Sequence, residues 1–263
     1  MLGVFDSGLG GLSSVKELAR CLPKEDVVYF GDTGRVPYGT RSKETIIKYA
    51  LQDARFLMQF DPKAILVACG TVSSVAMEAL QNTLSVPVIG VVDAAVGAAL
   101  SASKNQKIAV LGTPATIRSG SYRERLLGQG VQVLSIPCPL FVPLVENGHI
   151  REDDPIVKET VAHYLHQALS FGADTIILGC THYPLLKRAI GTFVGEDVKL
   201  INAAAEAAHC LADRLEKDGL LAADGGEQRF FVSDSPEGFA DTARIFLKKD
   251  IKEAVERIDI EAY

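Results

Sequence analysis

Two stretches of this 263-residue chain follow one design at a separation of about a hundred residues. Lys63-Ala-Ile-Leu-Val-Ala-Cys69-Gly-Thr71 and Asp174-Thr-Ile-Ile-Leu-Gly-Cys180-Thr181 are each an apolar run that ends in cysteine and passes through a hydroxyl residue into a helical pattern. The likeness extends upstream. Lys107 to Ser119 repeats Leu2 to Ser14 in kind, as a short apolar run, a loop of small and hydroxyl residues, then a helix. The second runs, Val27 to Phe30 and Val131 to Leu134, both lead into loops containing proline. A repeated unit of this kind folds as two like halves, and corresponding residues of the halves occupy corresponding places.

Short β-branched runs alternate with longer stretches of helical period, the mark of parallel strands joined by crossover helices, so the fold class is α/β. The strand candidates are Leu2–Phe5, Val27–Phe30, Ala64–Ala68, Val88–Val91, Ile108–Leu111, Val131–Ile136, Thr175–Leu178 and Lys199–Ile201. Most are unbroken apolar runs, which suits strands buried on both faces between helix layers. We expect two pseudo-symmetric domains, each a parallel sheet flanked by helices. Residues 1–93 with 204–263 form the first, and residues 94–203 the second. The last part, a long helix, a strand-like Arg229–Val232 and a final helix, is expected to return to the first domain. Ligands of open parallel sheets bind beyond the carboxyl ends of the strands. Both cysteines should therefore line one cleft between the domains.

Several function classes fall away on composition. A net charge of -6 does not suit a phosphate-neutralising surface, so nucleic acid is not an expected partner. Lys248-Lys249 and Arg123 to Arg125 read as solvated helix faces. No apolar stretch is long enough for a membrane span. Met1 to Phe5 runs straight into Asp6-Ser7-Gly8 without room for a signal sequence, which predicts a cytoplasmic protein. The five cysteines show neither disulfide-framework spacing nor a CxxC pair, so they are expected to be free thiols and no metal is implied. Cys21, Cys138 and Cys210 are assigned to packing.

A free cysteine on an apolar strand is by default a small core residue. Two at matching strand ends suggest chemistry. Taking a proton from an α-carbon and returning one to the opposite face needs an acid/base group on each side, one as thiolate and the other as thiol. A strand end before a helix start should favour the thiolate, with Ser73-Ser74 and Pro184 as signals of those helix starts. Asp6, at the end of the first strand, and His182, two residues beyond Cys180, could each pair with one thiol. Gly8-Leu9-Gly10-Gly11 opens a helix with Ser14 to Glu17 as a capping box. Ser13 stands where a dinucleotide fingerprint would need its third glycine. A carboxylate cradled by backbone amides, or a tight turn with no ligand, explains the same glycines.

Taken in order, Phe5-Asp6-Ser7-Gly8-Leu9-Gly10-Gly11, Gly31-Asp32-Thr33 with Pro37-Tyr38-Gly39, Ala68-Cys69-Gly70-Thr71 and Gly179-Cys180-Thr181-His182-Tyr183-Pro184 resemble the glutamate racemase family. Leu111-Gly112-Thr113-Pro-Ala-Thr116-Ile, Cys138-Pro139-Leu140 to Glu146-Asn147-Gly148, and Arg229-Phe230-Phe231 fall in the same order, so the resemblance runs nearly end to end. It implies an isomerase that needs neither metal nor pyridoxal phosphate and that supplies D-glutamate for peptidoglycan. Cys69 would take the proton from D-glutamate and Cys180 from L-glutamate, with Asp6 and His182 assisting on their respective sides. Asp6, Ser7, Tyr38, Gly39, Gly70, Thr71, Thr181 and His182 would hold the substrate, with Thr113 and Thr116 adding contacts from the second domain. Asp32 and Glu146 match acidic positions near the site. The resemblance also allows a homodimer.

One position departs from the family pattern. Gly70 stands where asparagine is usual, and a lost polar contact to a charged group costs roughly 1.5 to 3 kcal/mol unless water or backbone replaces it. That departure keeps two other readings in view: a two-cysteine racemase for another acidic amino acid such as aspartate, and a binding protein of the same fold without turnover.

Overall fold

The structure is a computed structural model that describes residues 1–263, the side chain of Glu253 excepted. Ten strands form two sheets: β1 Leu2–Asp6, β2 Val27–Gly31, β3 Ile65–Val67, β4 Val88–Gly90, β5 Lys107–Gly112, β6 Gln132–Pro137, β7 Thr175–Leu178, β8 Lys199–Asn202, β9 Gln228–Val232 and β10 Val255–Arg257. The first sheet has the order β10-β9-β2-β1-β3-β4 and the second β6-β5-β7-β8. Every pairing is parallel. With β9 and β10 set aside, each sheet places its second, first, third and fourth strands in the same succession, so the repeat in the sequence is a repeat of topology.

Burial explains why the central runs carry no polar alternation. β1, β2, β3 and β7 are buried at every position, whereas the edge strands β6 and β8 keep partly exposed residues. The period of two sorts side chains between layers. Leu2, Val4, Val27 and Tyr29 join one buried cluster, which continues into the second sheet through the helices Val91–Ala102 and Ala203–Lys217. Phe5, Val28, Phe30, Ile65 and Val67 face the other way and pack on Ile46, Ala50, Ala54 and Leu57 of the helix Lys43–Met58. Each such large side chain contributes about 1.5 to 3 kcal/mol by burial.

Some local expectations are corrected. The helix Leu12–Cys21 starts from Gly11 with no side-chain cap. Ser14 is therefore not a capping residue, and its buried hydroxyl has no partner. Ser73 and Ser74 lie inside the helix Gly70–Val75, whose N-cap is Cys69 itself, and the Ser73 hydroxyl accepts from the Val92 N–H at 3.3 Å. Pro184 opens a 3-10 turn, Tyr183–Leu186, ahead of the helix Lys187–Val194. After the final helix, Pro236–Leu247, the chain adds β10, which sequence reading missed because three residues at a sheet edge carry no pattern.

The order of each sheet sets the site. Crossovers run to opposite sides of β1 and of β5, so the carboxyl ends of β1 and β3, and of β5 and β7, are the points where the winding reverses. Asp6 ends β1, Cys69 follows β3, Thr113 follows β5 and Cys180 follows β7.

Candidate active site

These four strand ends meet at one cavity of about 390 Å³. The predicted residues Asp6, Ser7, Tyr38, Gly39, Cys69, Gly70, Thr71, Thr113, Cys180, Thr181 and His182 all line it, as does Glu146. Thr116, expected as a substrate contact, is not among the lining residues. It is buried one layer behind, within 3.0 Å of the Thr113 hydroxyl and 3.4 Å of the Thr71 hydroxyl. Thr71 and Thr113 are themselves 3.0 Å apart, so this hydroxyl cluster ties the first sheet's half to the second's.

The two cysteines have unlike surroundings. Cys69 is buried, and its thiol donates to the Ser7 hydroxyl at 3.3 Å. Burial pushes this thiol up to about 12, with the neighbouring Asp6 charge adding to the effect and the Ser7 hydrogen bond opposing it. The helix that follows has six residues, and the amide of its Val72 lowers the thiol by less than burial raises it. The expectation that the helix start would favour a thiolate therefore fails at Cys69.

Asp6 is buried. One carboxylate oxygen accepts from the Gly8 N–H at 3.0 Å, and the other has no partner. Burial raises the Asp6 carboxyl above its ordinary range, against His182 and the Gly11 and Gly8 amides, which lower it. An unpartnered buried oxygen is costly unless a ligand donor completes it.

On the opposite wall, Cys180 Sγ lies 3.8 Å from His182 Nδ1, and His182 Nε2 lies 3.0 Å from Glu146 Oε1. Burial works against a charge on His182, but hydrogen bonds to Cys180 and Glu146 outweigh it and push the imidazole up to about 10. Cysteine, imidazole and carboxylate thus form a line that leads from the cavity to the half-exposed Glu146. The Thr181 carbonyl accepts from the Ser13 hydroxyl at 2.7 Å, which pins this loop to the first half.

Other placements differ from the sequence reading. Tyr38 lines the cavity, but its hydroxyl is turned away and donates to Asp32 and, at 3.1 Å, to Asp53. Asp32 does not reach the cavity. It is fully buried and binds Arg35 Nε at 2.6 Å and the Ser233 hydroxyl at 2.7 Å. Cys138, assigned to packing, is buried yet lines the cavity. Its place immediately after β6, a strand end like those of the other two cysteines, was the overlooked signal. The bond of Ser13 to the Thr181 loop and the buried roles of Arg35 and Asp53 lay outside the sequence reading because they come from contacts across the chain.

Comparison with known proteins agrees with this geometry. The Asp/Glu/Hydantoin racemase family model matches residues 6–211. The glutamate racemase of Geobacter metallireducens is 46% identical over 250 residues, covering 94% of this chain and 92% of that protein. The glutamate racemase isoform RacE1 of Bacillus anthracis superposes with a TM-score of 0.93 at 40% identity, covering 98% of this chain and 97% of that one. The Francisella tularensis glutamate racemase, solved in complex with D-glutamate, gives 0.91 at 38% identity, covering 100% and 98%. Fold, strand-end cysteines and likeness along almost the whole length lead to one assignment: the chain belongs to the glutamate racemases of the Asp/Glu/Hydantoin racemase family.

Proposed function

We propose that this chain interconverts L- and D-glutamate by proton transfer between two cysteines and so supplies D-glutamate for peptidoglycan. The observation that carries the reading is the arrival of Cys69 and Cys180 at one cavity from the winding-reversal points of separate sheets. An α-carbon held between them has an acid/base group on each face.

A two-base exchange needs one cysteine as base and the other as acid, with Ser7 beside Cys69 and His182 and Glu146 beside Cys180. With L-glutamate bound, Cys180 takes the α-proton and Cys69 delivers one to the other face, yielding D-glutamate. The reverse reaction starts from the opposite protonation. Ordinary α-protons beside a carboxylate are weakly acidic, so the developing charge needs fixed dipoles. The hydroxyls of Thr71, Thr113 and Thr181 and the amides at Ser7, Gly70 and Thr181 are the groups we assign to the carboxylates. The open oxygen of Asp6 is assigned to the substrate ammonium. All steps are proton transfers, so the mechanism calls for no cofactor.

We read residues 1–93 with 204–263 and residues 94–203 as two domains that close on the substrate. Their crossings at Val92-Asp93 and Ala203-Ala204 fall in the first turns of the helices Val91–Ala102 and Ala203–Lys217, element ends of the kind that serve as hinges. No helix among the described residues is long and apolar enough to cross a membrane. We place the enzyme in the cytoplasm, acting on free glutamate, with a homodimer as the assembly that the family resemblance allows.

The test is incubation with each enantiomer in D2O for the wild type and the Cys69→Ser and Cys180→Ser variants, following deuterium at the α-carbon. Loss of racemisation in both variants is expected. Undiminished racemisation by either variant would sink the two-base mechanism, and preference for aspartate over glutamate would sink the substrate assignment.

A further inference from the structure

The elements that wall the active cavity turn their other ends to a second opening of about 370 Å³. Arg41 follows the turn Tyr38–Thr40, Ser74 lies on the helix Gly70–Val75 after Cys69, and Arg118 ends the helix Pro114–Arg118 that Thr113 caps. With Lys43 and Ser119 these residues line the opening, and no carboxylate does. Arg41, Lys43 and Arg118 are exposed, and among the described residues none of the three forms an ion pair. The Ser74 hydroxyl is buried without a partner.

Such a cluster stands out in a chain of net charge -6. Lys43 is also the first residue of a 16-residue helix, where the dipole already leaves a positive end and a cation is unfavourable. Three cations without ion-pair partners, against the one acid Glu44 in that helical turn, leave a local positive potential that an anion would relieve. Guanidinium forks match the paired oxygens of phosphate.

We propose that this opening is a binding site for a small, multiply charged anion of phosphate type. Arg41 and Lys43 would hold it from one half and Arg118 from the other. Because the ligand bridges both halves, its binding draws the turn Tyr38–Thr40 toward the helix Pro114–Arg118 and favours the closed cavity. The coupling to turnover rests on the racemase reading; the binding does not.

Calorimetric titration of the full chain with inorganic pyrophosphate at constant ionic strength tests the site, with citrate titrated in parallel and Arg118→Gln as the variant. One pyrophosphate per chain is expected, at least tenfold weaker in the variant, whose thermal midpoint should match the wild type. Absence of binding, equal affinity in the variant, or displacement by saturating D-glutamate would overturn the site. Citrate binding as tight as pyrophosphate would overturn the phosphate assignment. Saturating pyrophosphate should lower the KM for glutamate severalfold in the wild type and leave the variant unchanged. An unmoved wild-type KM would overturn the coupling alone, and failure of the racemase reading would leave the binding result standing.

Discussion

The α-carbon of Gly70 packs so closely on the carbonyl oxygen of Gly179 that a Cβ at residue 70 would overlap it. This contact joins the strand ends that carry Cys69 and Cys180. It also accounts for the departure noted in the sequence, since in this arrangement a side chain at residue 70 has no room. Gly70→Ala is expected to lose about 1 to 3 kcal/mol of stability, the usual cost of forcing an extra group into a packed contact. Gly70→Asn should lose more, and kcat should fall at least tenfold in both. Urea denaturation and steady-state kinetics check this; a stable, fully active Gly70→Asn would show that the strand ends separate freely.

Glu146→Gln should change the pH response through His182. The folded His182 sits at about 10, above its ordinary 6.5. The stability it contributes is therefore complete below about pH 6.5 and is lost as pH rises through about 10. Removing the Glu146 charge should move that loss, and the alkaline limb of kcat/KM for L-glutamate, to lower pH. Imidazole proton shifts followed by NMR against pH provide the direct reading, and an unmoved His182 titration would count against the pairing.

Asp6→Asn is expected to lower the Cys69 thiol from its position near 12, because the Asp6 charge is one of the causes holding it there while burial, the larger cause, remains. Alkylation of Cys69 by iodoacetamide at alkaline pH should then speed up severalfold even as racemisation falls. Peptide mass spectrometry at a series of pH values measures both sites separately. Equal alkylation rates in variant and wild type would argue that Asp6 does not act on Cys69.

Arg35→Leu should be the most damaging substitution away from the cavity. Arg35 binds Asp32 at 2.6 Å and Asp53 at 2.9 Å, and both carboxyls are fully buried. Breaking a buried pair leaves an uncompensated charge, at a cost of about 3 to 5 kcal/mol. A thermal midpoint within a few degrees of wild type would contradict this.

Much of the molecule was readable from the chain alone because its strong signals are local. Strands buried on both faces are written as unbroken apolar runs, and the repeated Cys69 and Cys180 motifs disclosed two like halves and the convergence of their strand ends, though not the strand order of each sheet. What escaped depends on partners far along the sequence. At Cys69, burial and the Asp6 charge outweigh the opposing Ser7 hydrogen bond and the Val72 amide of the helix beginning at Gly70. Tyr38 turns its hydroxyl inward because Asp32 and Asp53 wait there, and Thr116 serves Thr71 and Thr113 from behind. The Ser14 cap failed because the glycines ahead of it already make the turn.

The shared strand order has a consequence for handedness. Under the proposed mechanism, two like units whose equivalent strand ends line one cavity would present acid/base groups to a tetrahedral carbon from opposite directions, which one unit by itself could not do. The surroundings of the two thiols differ, with Asp6 and Ser7 beside one and His182 and Glu146 beside the other. Under that mechanism the two enantiomers meet chemically different partners, so kcat and KM taken separately should differ in pH dependence between the two directions, while kcat/KM stays equal because enantiomers interconvert with an equilibrium constant of one.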